Sequence, residues 1–236
     1  MKLLLTDCET TGLGKFAKPP QADAVIEVGC VLWDTEYRAV VSTWSDLVVH
    51  DSNAALAVNK IPVGLLKSGA YREEALTTLR GLAQRADVVV AHRAEFDHEF
   101  IGDIDRGDLC DPRIIPWLCS KYHLEWPLSK PGDGLAYVAI AHHVPVTEAH
   151  RALSDCLLLA RCFERVAELG YDVEAMIRKA MRPQKTFEVK DRSFNEQRNS
   201  QAKTNGFSWD SGTKTWRRTM CPEDVGALPF AVVEAR

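Results

Sequence analysis

The sequence predicts an α/β fold: a mixed β-sheet flanked by helices, followed by a small C-terminal α+β module. Strand-like segments crowd the first fifty residues. Helical periodicity then alternates with one short apolar segment, Asp87–Ala91, and the composition shifts after Met181. Strands first, then helices around a further buried strand, make a sheet covered by helices.

Lys2–Thr6 is short and apolar, as a buried strand is. Ala24–Asp34 is rich in β-branched residues and Tyr37–Val49 continues it, with Asp34-Thr35-Glu36 as a hairpin turn. Gly12–Asp23, with its Gly, Lys and Pro-Pro, reads as a loop, and Pro19–Asp23 within it as flexible. Arg72–Arg85 has helical periodicity, and Asp87–Ala91 is a fully buried strand. A helix opens over His98–Ile104 and is broken by Gly107; Gly134–Ala141 forms another. Arg151–Leu169 carries apolar residues at 153, 157, 158, 160, 163, 166 and 167, with Gly170 as its stop. Arg182-Pro183-Gln184-Lys185 is a linker. Beyond it lie a strand at Thr186–Val189, a polar helix near Phe194–Lys203 and a hairpin through Phe207–Trp216. Two domains are expected, 1–181 and 186–236.

The chain has 236 residues, 46% of them hydrophobic, and a net charge of −4. Residues 182–236 carry ten basic and seven acidic side chains, which leaves −7 on residues 1–181. An acidic body suits a cation site, and a mildly basic tail suits a polyanion. No apolar run is long enough to cross a bilayer. The short apolar start lacks a cleavage site, so a cytoplasmic protein is expected. The seven cysteines are scattered and form no C-x-x-C pair. Reduced thiols are expected, and Cys110 and Cys119 lack zinc spacing.

Three clusters carry the chemistry. Asp7 and Glu9 are two apart, which on a strand points both carboxylates to one face. Such a pair is either a solvated strand end or a site for a divalent cation. Asp97 either caps a helix or joins the same site. Asp155 falls in the second turn of its helix, facing inward among Ala152, Leu153 and Leu158. A buried acid there needs a metal or an arginine. His150 lies in the loop before it. His142-His143 reads as surface. In the tail, Phe207, Trp209, Trp216 and Arg217-Arg218 either form a small core or stack on single-stranded nucleic acid.

The joint order of these clusters resembles a known family. Asp7-Cys8-Glu9-Thr10-Thr11-Gly12-Leu13, Ala91-His92-Arg93-Ala94-Glu95-Phe96-Asp97 and His150-Arg151-Ala152-Leu153-Ser154-Asp155 are similar to the three exonuclease motifs of the DEDD superfamily. The histidine corresponds to its DEDDh, DnaQ-like branch, and the resemblance spans residues 1 to about 175. It implies an RNase H-like fold and two Mg²⁺ or Mn²⁺ ions held by Asp7, Glu9, Asp97 and Asp155. Asp7 would bridge the ions, Asp97 would support the second, and His150 would be the general base. The implied reaction is metal-dependent 3′→5′ exonuclease action that releases nucleoside 5′-monophosphates. Thr10, Leu13, Arg93 and Phe96 are the candidate substrate contacts, and Pro19–Asp23 would lie near the substrate. Arg93 departs from the family's usual His-Asn-x-x-Phe-Asp, where an amide stands, and could meet a phosphate or pair with a carboxylate.

The expected partner is nucleic acid with a free 3′ end, single-stranded DNA favoured, with a polymerase or other replication or repair protein as a further candidate and no membrane. One rival keeps the chemistry but acts on RNA, as ribonuclease T and oligoribonuclease do. Another is a non-catalytic nucleic-acid-binding or polymerase-associated subunit.

Overall fold

The computed structural model describes residues 1–105, 114–183, 185–191, 193 and 195–235. Expectations that involve Gly107, Cys110, Gln184 and Phe194 fall outside these residues. The chain divides into two compact units, Met1–Ala180 and Met181–Arg236.

The first unit is built on five strands: β1 (Lys2–Thr10), β2 (Val25–Asp34), β3 (Ala39–Leu47), β4 (Val88–Ala91) and β5 (Trp117–Cys119). Their order is β3-β2-β1-β4-β5. β1, β2 and β3 run antiparallel, and β4 and β5 pair in parallel. Asp34 closes the β2–β3 hairpin by accepting from the backbone N–H groups of Glu36 and Tyr37 at 2.9 and 3.2 Å. The helices are α1 (Leu56–Asn59), α2 (Val63–Leu66), α3 (Arg72–Ala83), α4 (Ala94–Ile101), α5 (Leu135–Ala141), α6 (Ala152–Glu168) and α7 (Val173–Ala180). Among the described residues no helix is long and apolar enough to cross a membrane.

β1, β2 and β4 are buried on both faces, whereas β3 at the edge is largely exposed. One core layer joins Leu3, Leu5, Val31 and Val90 to Leu159, Phe163 and Val166 of α6. The other joins Leu4, Cys8, Val28 and Val89 to Leu76 and Leu79 of α3 and Phe100 and Ile101 of α4. Period-two alternation divides β1 between these layers.

Three expectations are corrected. β1 does not stop at Thr6 but continues to Thr10, because β2 keeps pairing with it as far as Val25. Asp7 and Glu9 are therefore inside the strand, not at its end. The helix expected at His98 begins at Ala94, after Arg93 in a left-handed conformation (φ +86°). Asp97 thus lies inside the helix and is not its cap. His142 is buried, not on the surface. Its Nδ1–H donates to the Val138 carbonyl at 2.7 Å and its ring stands edge-on to Trp126. The six described cysteines are free thiols.

The second unit has its own sheet, ordered β7-β8-β6-β9 over Ser208–Asp210, Thr215–Met220, Lys185–Val189 and Val232–Glu234. A helix, α8 (Glu196–Thr204), completes it, and Phe187, Val189, Ala202, Phe207 and Met220 form its core. Trp209 packs edge-on to Trp216 and stays 54% exposed.

Candidate active site

Leu3 and Leu5 face α6, so alternation turns Asp7 and Glu9 toward the same side. The N-terminus of α6 brings Asp155 there, and the preceding loop brings His150. Ligand atoms of Glu9, His150 and Asp155 all lie within 4.8 Å of one another. The backbone N–H of His150 donates to Asp155 Oδ2 at 3.1 Å. His150 itself is exposed and left-handed, with φ +63°.

Asp97 reaches the site from the opposite layer. β1 runs on past the end of β4, whose parallel pairing stops at Leu5 opposite Val90. Beyond that point Asp97 takes the partner's place and accepts from the Cys8 N–H at 3.0 Å. The site therefore lies on the carboxyl-terminal half of β1, just beyond the carboxyl end of β4, where sheets of this class usually bind ligands.

The electrostatics point to a cation. Burial first, then Asp97, Asp155, Glu9 and Glu27, holds the Asp7 carboxyl well above its usual range. Glu9 is pushed up to about 8 by burial and by Asp155, Glu27 and Asp97, with Arg151 opposing. Burial raises Asp97 to about 7, against the hydrogen bonds from Cys8 and the charge of Arg93. Asp155 is raised as well, chiefly by burial. Acids gathered this closely resist ionising together, and a divalent ion removes the conflict. Hard carboxylate oxygens, with one imidazole beside them, fit Mg²⁺ or Mn²⁺.

A cleft of about 840 Å³ takes in all nine residues singled out in the sequence: Asp7, Glu9, Thr10, Leu13, Arg93, Phe96, Asp97, His150 and Asp155. Leu13 is 52% exposed at its edge. The Thr10 hydroxyl is turned onto the Gly12 carbonyl at 2.5 Å. The Arg93 guanidinium lies over the rings of Phe16 and Phe96, 5.5 and 5.9 Å from their centroids. Asp23, at the end of the segment read as flexible, accepts from the Thr11 hydroxyl at 3.0 Å and from the Gly14 N–H at 2.9 Å. His92 fastens another wall. One ring nitrogen meets the Asp133 carbonyl at 2.8 Å and the other the Ser120 hydroxyl at 2.9 Å. Nε2 must then carry the proton, and burial lowers the pKa of the ring, which favours this neutral state.

Two charged residues of the site were not singled out in the sequence. Glu27 of β2 is 3% exposed and stands directly opposite Glu9. Arg151 forms a bidentate pair with it, Nη2 to Oε1 at 2.7 Å and Nε to Oε2 at 3.0 Å. The arginine near Asp155 thus serves Glu27. A single charge inside the apolar run Val25-Ile26-Glu27-Val28 is the signal that marks it.

The family model for exonucleases designated RNase_T matches residues 4–163. Among curated protein sequences none matches this one. Several solved structures share the fold. Exonuclease X in complex with 5′-overhanging duplex DNA is 22% identical, with a TM-score of 0.53 over 74% of this chain and 96% of that one. The nuclease domain of 3′hExo, a DEDDh family member bound to rAMP, is 14% identical, with a TM-score of 0.57 over 72% and 92%. E. coli exonuclease I with a dT13 oligonucleotide is 13% identical, with a TM-score of 0.55 over 80% of this chain and 48% of that one. The five-stranded sheet with its flanking helices is the RNase H-like fold of these structures.

Proposed function

The chain belongs to the RNase_T exonuclease family, and from that premise we propose that it is a metal-dependent 3′→5′ exonuclease acting on DNA. The observation that carries this reading is the convergence of four carboxylates and His150 in one cleft, with Glu9, His150 and Asp155 inside 4.8 Å.

Asp7, Glu9, Asp97 and Asp155 would hold two Mg²⁺ or Mn²⁺ ions. Such ions supply positive charge to the entering and leaving oxygens of an in-line displacement. His150 would take a proton from the attacking water, which an exposed imidazole can pass on to solvent. The water oxygen bonds to phosphorus, the bond to the 3′-oxygen breaks, and a nucleoside 5′-monophosphate leaves. Leu13 and Thr10 frame the terminal nucleotide. Phe96 and the Arg93 lying over it offer an apolar surface and a charge for the next phosphate.

DNA is favoured because exonuclease X, 22% identical and covered over 96% of its length, holds duplex DNA in its structure. The rAMP in the 3′hExo structure supports an exoribonuclease as the second reading. The second unit is an accessory module. Its exposed Trp209, beside the basic Lys214, suits stacking on a single strand. We place the protein in the cytoplasm, working beside a polymerase or repair protein.

The test is a digestion panel of 5′-labelled single-stranded DNA, duplex DNA and RNA, with Mg²⁺, Mn²⁺ or EDTA. Stepwise shortening that EDTA and Asp7→Ala both abolish is expected. Internal cuts, or an Asp7→Ala protein as active as wild type, would sink the reading.

A further inference from the structure

We infer that Glu27 and Arg151 are a positioning pair that sets His150 and Asp155 against Glu9, an inference that rests on the exonuclease reading of the cleft.

β2 is buried along its whole length, and a carboxylate there is costly unless paired. Arg151 meets both oxygens of Glu27 through its planar fork, with Nε at 3.1 and 3.0 Å and Nη2 at 2.7 Å. The same carboxylate does a second task. Arg151 is the residue that caps α6, yet its side chain makes no bond to its own helix. Glu27 Oε2 accepts the Ala152 N–H instead, at 3.1 Å. A strand 125 positions away thus provides the cap that Ser or Asp normally provides locally, at the positive end of a 17-residue helix.

The anchor continues along β2. At Gly29 an added Cβ would fall 2.5 Å from the Leu153 nitrogen, so the backbone of α6 rests directly on the strand. The Cys156 thiol donates to the Gly29 carbonyl at 3.4 Å, and the Thr6 hydroxyl reaches the same oxygen at 3.0 Å. Glu27 stands opposite Glu9, so the helix is fastened directly across the strand pair from a cleft carboxylate. His150 directly precedes Arg151, and its N–H is held by Asp155. The pair therefore determines the spacing of the Glu9, His150 and Asp155 group without touching substrate.

The test uses the full chain with Glu27→Gln, which keeps the shape, and Arg151→Lys, which keeps the charge but loses the fork. kcat and KM on a 5′-labelled oligonucleotide and Mn²⁺ affinity by calorimetric titration are measured below each protein's melting temperature. Both kcat and Mn²⁺ affinity are expected to fall about 10- to 100-fold, with KM held within about twofold. A lower melting temperature with unchanged kcat and Mn²⁺ affinity would mean ordinary structural packing and overturn the proposal. Unchanged values throughout would do the same. If Glu27→Gln does not fold, Arg151→Lys decides. A wild-type protein without EDTA-sensitive exonuclease activity would instead refute the underlying reading.

Discussion

The N–H of Cys8 donates to Asp97 Oδ1 at 3.0 Å, and this bond joins α4 to the strand that carries Asp7 and Glu9. Asp97→Asn can still accept it, so stability should change by less than about 1 kcal/mol while activity is lost. Asp97→Ala leaves a buried N–H without a partner and should cost about 1–3 kcal/mol besides. Urea unfolding and turnover, measured on both variants, separate the two roles. Equal stability for Asn and Ala would contradict the assignment.

The raised carboxyls make metal-free stability depend on pH. Folded Glu9 and Asp97 release their protons near about 8 and 7, whereas 4.5 and 3.8 are the ordinary values. The folded state therefore binds more protons between these limits, and its stability falls as pH rises through them. In EDTA the melting temperature should drop between about pH 5 and pH 8. Mg²⁺ or Mn²⁺ should raise it more at the upper end, where ions displace fewer protons. Asp7→Asn should raise the EDTA value at high pH and abolish the metal increment. A metal increment independent of pH would contradict this.

His150→Asn suits the left-handed backbone at that position and should leave stability within about 1 kcal/mol. Its kcat should fall by about 10²- to 10⁴-fold with oligonucleotide binding retained. Pre-steady-state turnover with a separate binding measurement checks the split; a loss confined to binding would remove His150 from proton transfer.

Gly29→Ala forces a methyl into the backbone of α6 and should destabilise by about 1–3 kcal/mol. Gly64→Ala is the control. Apart from the adjoining backbone of its own helix, nothing lies within 4 Å of the added carbon, and α2 should gain up to about 1 kcal/mol from the better helix former. Thermal melts of the two variants should move in opposite directions.

Arg93→Asn also fits its left-handed backbone. Removing the guanidinium from the two rings should cost about 0.5–1 kcal/mol, and oligonucleotide affinity should weaken. Fluorescence anisotropy at several salt concentrations would show it as a shallower salt dependence. Unchanged affinity and slope would take Arg93 out of the substrate path.

Local patterns were legible and long-range ones were not. The two-residue spacing of Asp7 and Glu9 sets a common face through backbone geometry alone, and the 3.6-residue period marks α6 without knowledge of its neighbours. The end of β1 was not readable, because pairing with β2 extends it past the apolar run. β5, α1, α2 and α7 are short and take their form from packing rather than propensity. His142 was misplaced because its neighbour His143 is exposed and only the tertiary fold divides the two. The Glu27–Arg151 pair spans 124 positions, and no window along the chain contains both.

That same separation orders events in time. Asp7, Glu9, Glu27 and Asp97 are all synthesised at least about fifty residues before Arg151 and α6. His150 and Asp155 arrive together, at the start of a helix that docks onto a strand made more than a hundred residues earlier. The cleft therefore cannot be assembled until the last helix bordering it has been made and docked.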